Sequence, residues 1–212
     1  MGLSVSKVVV GGTQLFAGVN AGWFPDDNDA NNLNQSLQQK GFVVIKNYIS
    51  SEVLTDVADK FIESCNKGSV ATDKSGNLGS ANETACLQIL VERTAAVGKI
   101  FGEPVLPTYT YAKLYKAGST VSKHSEREPC EISLLANFGP SGKGGANWPI
   151  VIEKPDGTIE DVCIGVGDAL LYYGHNLYKH REFFQGEETL QVYFHYVKSR
   201  GKYSEYYFDR RP

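Results

Sequence analysis

TYTYAKLYKAGSTVSKHSERE, residues 108–128, is the stretch on which the reading of this chain turns. Its first half alternates. Tyr109, Tyr111, Lys113 and Tyr115 fall on one face of a strand, because side chains two apart along a strand point the same way. Three phenols and an ammonium on one face suit a polar pocket that accepts an anion better than plain core. Its second half ends in His124-Ser125-Glu126. A histidine and a carboxylate two residues apart can approach one metal ion together. A third ligand from a distant strand would complete two histidines and one carboxylate, leaving the opposite face of the metal open.

The rest of the chain supplies the setting. Its 212 residues, 42% hydrophobic, suit a single domain that buries a core. The net charge of -3 is spread along the chain without a run of like charges, so neither a nucleic-acid arm nor a membrane-surface arm is expected. Cys65, Cys86, Cys130 and Cys163 form no C-x-x-C pair and read as free thiols. No secretory leader or long apolar span is legible, which makes a soluble cytoplasmic protein the expectation.

Residues 29–103 read as a helical flank with one added strand. A polar helix over 29–40 leads to the buried strand Gly41–Ile45. Ser50 or Ser51 caps a helix with Val53, Leu54, Val57, Phe61 and Cys65 on one side. Residues 66–82, rich in Gly, Ser and Asn, read as a mobile loop, and a further helix spans 83–101. Over 105–200 short β-prone runs alternate with turns: 108–116, 131–138, 148–153, 159–164, 168–173 and 190–197. Lys154-Pro155-Asp156-Gly157 reads as a hairpin turn. Such spacing predicts an antiparallel sandwich or barrel, so the fold class is mainly β with flanking helices around a jelly-roll core. Near the N-terminus, Lys7–Val10 reads as an edge strand. Gly142–Gly145 lacks the strand-to-helix context of a phosphate loop.

Four segments together resemble the Fe(II)/2-oxoglutarate-dependent dioxygenases, and within them the prolyl-hydroxylase-like branch. Tyr115-Lys116-Ala117-Gly118 followed by His124-Ser125-Glu126 is similar to the family's Y-x-x-G…H-x-D segment. Gly167–Tyr172 resembles the strand before the distal histidine, Lys179-His180-Arg181-Glu182 the segment carrying it, and Gln191–Tyr196 the last core strand. The resemblance implies a double-stranded β-helix, Fe(II) held by His124, Glu126 and His180, and 2-oxoglutarate as cosubstrate beside Tyr115, Lys113, Gln191 and Arg181. It further implies molecular oxygen and a small-molecule or peptide substrate hydroxylated at an unactivated C–H bond. No catalytic residue is expected beyond the metal ligands.

Two departures stand out. Glu126 replaces the usual aspartate. No Arg or Lys lies where the family carries the cation for the cosubstrate carboxylate; that neighbourhood reads Glu187-Glu188-Thr189-Leu190-Gln191. A buried carboxylate without a cation is costly, which leaves Lys113, Arg127 or Arg181 to supply the charge. His175 rivals His180 as third ligand, and His195 reads as a core or supporting histidine. The rival functions are a jelly-roll binding protein that has lost cosubstrate binding, and a cupin-like metal enzyme using no 2-oxo acid. Residues 66–82 and 140–147 read as a lid over the site. Substrate identity and oligomeric state are not legible.

Overall fold

A computed structural model describes residues 7–10, 13–16, 23–139 and 148–209; the expected glycine-rich loop at 140–147 lies outside them. Strands β1 (Lys7–Val10) and β2 (Thr13–Phe16) pair with each other as a two-stranded ribbon. Helix α1 (Asp27–Lys40) starts where the Asp26 carboxylate accepts from the Asp29 amide at 2.8 Å. It stops at Gly41, whose φ of 82° favours glycine. Strand β3 (Phe42–Ile45) follows directly. Helix α2 (Ser51–Asn66) is capped by Ser50, and α3 (Thr84–Phe101) runs into the core strands.

Between α2 and α3, the sequence suggested a mobile loop. The structure corrects this to a hairpin, β4 (Ala71–Thr72) and β5 (Leu78–Ala81), with β5 continuing onto the main sheet. The Asp73 carboxylate organises the turn by accepting from the amides of Ser75 at 2.8 Å and Asn77 at 3.1 Å.

The remaining strands are β6 (Val105–Lys116), β7 (Val121–His124), β8 (Ile132–Gly139), β9 (Ile150–Glu153), β10 (Ile159–Val162), β11 (Ala169–Tyr173), β12 (Tyr178–Arg181) and β13 (Glu188–Lys198). They form two facing sheets. The larger runs β3-β11-β8-β13-β6-β5-β4, the smaller β10-β9-β12-β7, and every pairing is antiparallel. This is the expected mainly-β jelly roll with flanking helices. The sheets do not close into a barrel.

Each face of the larger sheet has its own core, because alternate residues leave on opposite sides. The outer face (Leu134, Ala136, Leu171, Val192, Phe194) packs on the helices through Leu37, Phe61, Leu90 and Val97. A fully buried side chain of this kind stabilises by about 1.5–3 kcal/mol. The inner face (Phe42, Leu135, Leu170, Tyr172) packs on Ile150, Ile152, Val162 and Ile164. Asp168, in the Gly-Asp turn before β11, ties this framework together. Its carboxylate accepts from the amides of Asn47 and Gly165 at 3.1 and 3.0 Å and pairs with Lys46 at 2.8 Å. No helix among the described residues is long and apolar enough to cross a membrane.

Candidate functional site

The inner space between the sheets is apolar at one end and polar at the other. The polar end is a continuous stripe built by β6, β11, β12, β13 and the loop after β7. It begins at Glu126. The Glu126 amide donates to the Gly174 carbonyl at 3.0 Å, which fixes the loop against the turn between β11 and β12. Its carboxylate accepts from the Tyr172 hydroxyl at 2.7 Å and lies 3.1 Å from Lys179 Nζ, an ion-pair contact bent away from hydrogen-bond geometry. The ammonium also sits 4.4 Å from the Tyr172 ring centre. Burial pushes the Glu126 carboxyl up, but the charge of Lys179 and the Tyr172 hydrogen bond outweigh it and hold the group at about 2.

His195 stands beside this pair. Ser133 Oγ lies 2.9 Å from His195 Nδ1 and 3.1 Å from the Cys130 carbonyl. A serine has one hydroxyl proton, and a carbonyl can only accept. The network therefore assigns the proton of the His195 ring to Nδ1 and leaves Nε2 with its lone pair. Burial pushes His195 down to about 4 despite the pull of Glu126, so the ring is neutral at pH 7. Tyr109 packs 4.7 Å from it, bonded to Cys130 Sγ at 3.1 Å and to Arg127 Nη2 at 2.7 Å.

The far end of the stripe belongs to Arg181. It is 4% exposed, donates through Nη1 to Gln191 Oε1 at 2.9 Å, and lies 4.3 Å from the Trp148 ring. Its Nη2 is buried with no hydrogen-bond partner, and among the described residues no carboxylate pairs with it. Burial lowers its pKa. Alongside, the Tyr115 and Tyr193 hydroxyls share a hydrogen bond of 2.8 Å. Trp148 packs on Tyr115 and Phe184, and its Nε1 donates to the Glu182 carbonyl at 2.7 Å, closing the stripe from outside.

Of the sequence-predicted cosubstrate residues, Tyr115, Gln191 and Arg181 therefore come together. Lys113 does not join them as a free cation. It is bound to Asp73 at 2.6 Å and to Ser75 Oγ at 2.9 Å in the β4–β5 turn.

The three expected metal ligands are not brought together. Glu126 is inside. His124 is exposed, with Nδ1 2.8 Å from the Ser122 carbonyl. His180 faces away from the stripe. On β12 it pairs with Val151, whereas Lys179 pairs with the fully buried Ile152, so Lys179 and Arg181 take the inward positions. His180 keeps 28% of its side chain exposed, 3.7 Å from Glu182. The rival His175 is half-buried and bonded to the Arg127 carbonyl at 2.8 Å, away from Glu126. Among the described residues no three His, Cys, Asp or Glu side chains gather closely enough to hold a metal ion. In this arrangement the donor set does not fit a two-histidine, one-carboxylate metal. An ammonium offers three donors and no lone pair, and here it occupies the carboxylate such a metal would need.

Sequence reasoning missed Lys179, Tyr172, Tyr193 and the covering position of Trp148. Tyr193 was within reach, since it alternates with Gln191 and His195. Lys179 carried no signal of its own.

No family model and no curated protein matches the chain. Solved structures do. A Pseudomonas putida prolyl-4-hydroxylase superposes with a TM-score of 0.65 at 14% identity, covering 81% of this chain and 100% of that one. The α-ketoglutarate-dependent epimerase SnoN of nogalamycin biosynthesis, determined with Fe3+, α-ketoglutarate and nogalamycin RO, gives 0.70 at 9%, covering 82% and 85%. A Trichoplax adhaerens prolyl hydroxylase in complex with a hypoxia-inducible-factor peptide gives 0.66 at 12%, covering 82% and 91%. At these identities the likeness establishes the fold: that of prolyl hydroxylases and other 2-oxoglutarate–Fe(II) oxygenases.

Proposed function

For a chain with this oxygenase fold, we propose that the polar stripe binds a small carboxylic acid, with Arg181 receiving the carboxylate. One observation carries the reading. Arg181 is a buried guanidinium whose Nη2 has no partner and which no described carboxylate neutralises. A buried charge left in that state is costly, and a ligand carboxylate relieves the cost through charge-assisted, fork-like hydrogen bonds. Tyr115, Tyr193 and Gln191 border the guanidinium with hydroxyl and amide groups, and Trp148 supplies an apolar cover that must swing aside for entry. Calorimetric titration of the protein with 2-oxoglutarate and with propionate tests the reading. Arg181→Met should weaken binding by about 2–3 kcal/mol, on the order of 30- to 150-fold. Unchanged affinity in the variant would reject it.

A second reading is an Fe(II)- and 2-oxoglutarate-dependent oxygenase that hydroxylates an unactivated C–H bond of a small molecule or peptide. The fold likeness favours it. It takes His124, Glu126 and His180 as ligands and requires β12 to slip by one residue, since that shift exchanges the faces of Lys179 and His180. Anaerobic addition of Fe(II) and then 2-oxoglutarate should produce a metal-to-ligand charge-transfer band. Admission of oxygen should then yield succinate. Absence of the band rejects this reading.

A further inference from the structure

We infer that Lys179 takes the place of the divalent metal in this fold, making the stripe a metal-independent site charged for a monocarboxylate. The inference rests on the carboxylate reading above for its ligand, and on separate geometry for the metal.

The geometry is that of β12. Lys179 pairs in register with His124 of β7, and of the two side chains it is Lys179 that reaches Glu126, while His124 stays exposed. A third metal ligand on β12 would have to project from that position. Lys179 fills it instead, with its ammonium 3.1 Å from the Glu126 carboxylate and stacked on Tyr172. Tyr172 donates to the same oxygen, Oε1, at 2.7 Å. Glu126 Oε1 is thus held by a covalently tethered cation, whose positive charge beside the carboxylate repels a divalent ion.

Charge accounting then narrows the ligand. The stripe contains one carboxylate, Glu126, and two cations, Lys179 and Arg181. His195 is neutral at pH 7, the tyrosines are neutral, Lys113 is matched by Asp73, and Arg127, bonded to Tyr109 at the edge of the stripe, is matched by the charge of Asp209. One positive charge remains. With a divalent ion in place of Lys179 two would remain, which suits a dicarboxylate. In a low-dielectric interior, an unmatched second carboxylate is strongly penalised. The site as built therefore favours an acid with one carboxylate and an uncharged remainder. Lys179 and Arg181, two residues apart on one strand, are separated by roughly 6.6 Å at their backbones. The carboxylate sits at Arg181 and the uncharged part extends towards the Glu126–Lys179 pair.

The test uses Co(II) as the metal probe and propionate and succinate as the ligand probes. The wild-type protein should give no ligand-field absorption beyond that of free Co(II), and propionate should bind it equally with and without EDTA and more tightly than succinate. Lys179→His should put an imidazole beside Glu126, so that His124, turning inward, completes the two-histidine, one-carboxylate set and brings in the tetrahedral or five-coordinate Co(II) spectrum. Co(II) binding by wild type, or loss of propionate binding in EDTA, overturns the inference while leaving the Arg181 reading intact. Tighter succinate binding overturns the charge argument. Loss of all carboxylate binding, with wild type still blind to Co(II), overturns the monocarboxylate site through failure of the Arg181 reading. Should Lys179→His not fold, Lys179→Met replaces it, and its affinity for propionate must fall if the ammonium supplies the charge.

Discussion

Acidification from about pH 7 to pH 4 should destabilise this protein through one residue, His195. Its ring sits at about 4 in the fold against an ordinary 6.5, and at roughly 1.4 kcal/mol per pH unit that gap is worth about 3 kcal/mol. The direction follows from proton counting. Below pH 6.5 the unfolded chain takes up a proton that the folded ring refuses until about 4. Stability is therefore fully present above pH 6.5, declines through the window and levels off below it. Glu126 acts lower. Its folded value of about 2 against 4.5 places its own loss between those limits, and the buried Lys179 reduces the net effect. Urea unfolding at closely spaced pH values measures both. His195→Asn is the control, because an asparagine amide can still donate to Ser133. The variant should be less stable than wild type at pH 7, yet its stability should change little across the upper window. A wild-type stability that is flat between pH 7 and 5, or an equal slope in the variant, would refute the reasoning.

Other perturbations probe the rest of the stripe. Tyr172→Phe removes the donor to Glu126 at 2.7 Å and should cost about 1.5–3 kcal/mol, the range for a hydrogen bond to a charged group; chemical denaturation measures it, and the lower acid transition should move up in pH. Gly174→Ala places a Cβ 1.9 Å from the Cys130 carbonyl and 3.0 Å from Glu126 Cβ. Backbone must then move, so we expect a loss of about 2–4 kcal/mol together with weakened carboxylate binding; wild-type thermal stability in this variant would contradict the packing described. Arg181→Met, besides weakening ligand binding as stated above, should leave the ligand-free protein as stable or about 1–4 kcal/mol more stable, since it removes a buried charge that has no carboxylate partner. A large destabilisation, read by the same melts, would mean that Arg181 is structural.

What was legible in the sequence follows the strength of each periodic signal. The alternation of Tyr109, Tyr111, Lys113 and Tyr115 on β6 identified the inner face of the larger sheet. The turn at Lys154–Gly157 was clear from composition, and it joins β9 to β10 as a hairpin in which Asp156 accepts from the Thr158 amide at 2.9 Å. Strands β7 and β12 were not legible as strands. Val-Ser-Lys-His and Tyr-Lys-His-Arg are four-residue polar segments with no apolar alternation. Yet β12 carries Lys179 and Arg181, and β7 leads into the loop that carries Glu126. In Lys179-His180 the inward position is a matter of parity, and parity is set by pairing with Ile152 and Val151 on β9, far away in sequence. Lys113 was misjudged for a similar reason: its partner Asp73 sits in a hairpin that composition alone reads as loop.

Trp148 has a use beyond packing. The chain has only two tryptophans, Trp23 and Trp148. The first lies on the helical side, 5.1 Å from Tyr48 and 5.9 Å from Arg93; the second rests 4.3 Å from the Arg181 guanidinium, the group proposed above to receive a carboxylate. With Trp23 replaced by Phe, the indole over Arg181 becomes the sole tryptophan emitter, and any acid that draws the guanidinium away or lifts the indole alters its emission. On the proposed carboxylate site, the protein would thus carry a built-in optical indicator of occupancy, suited to screening a library of acids without a label.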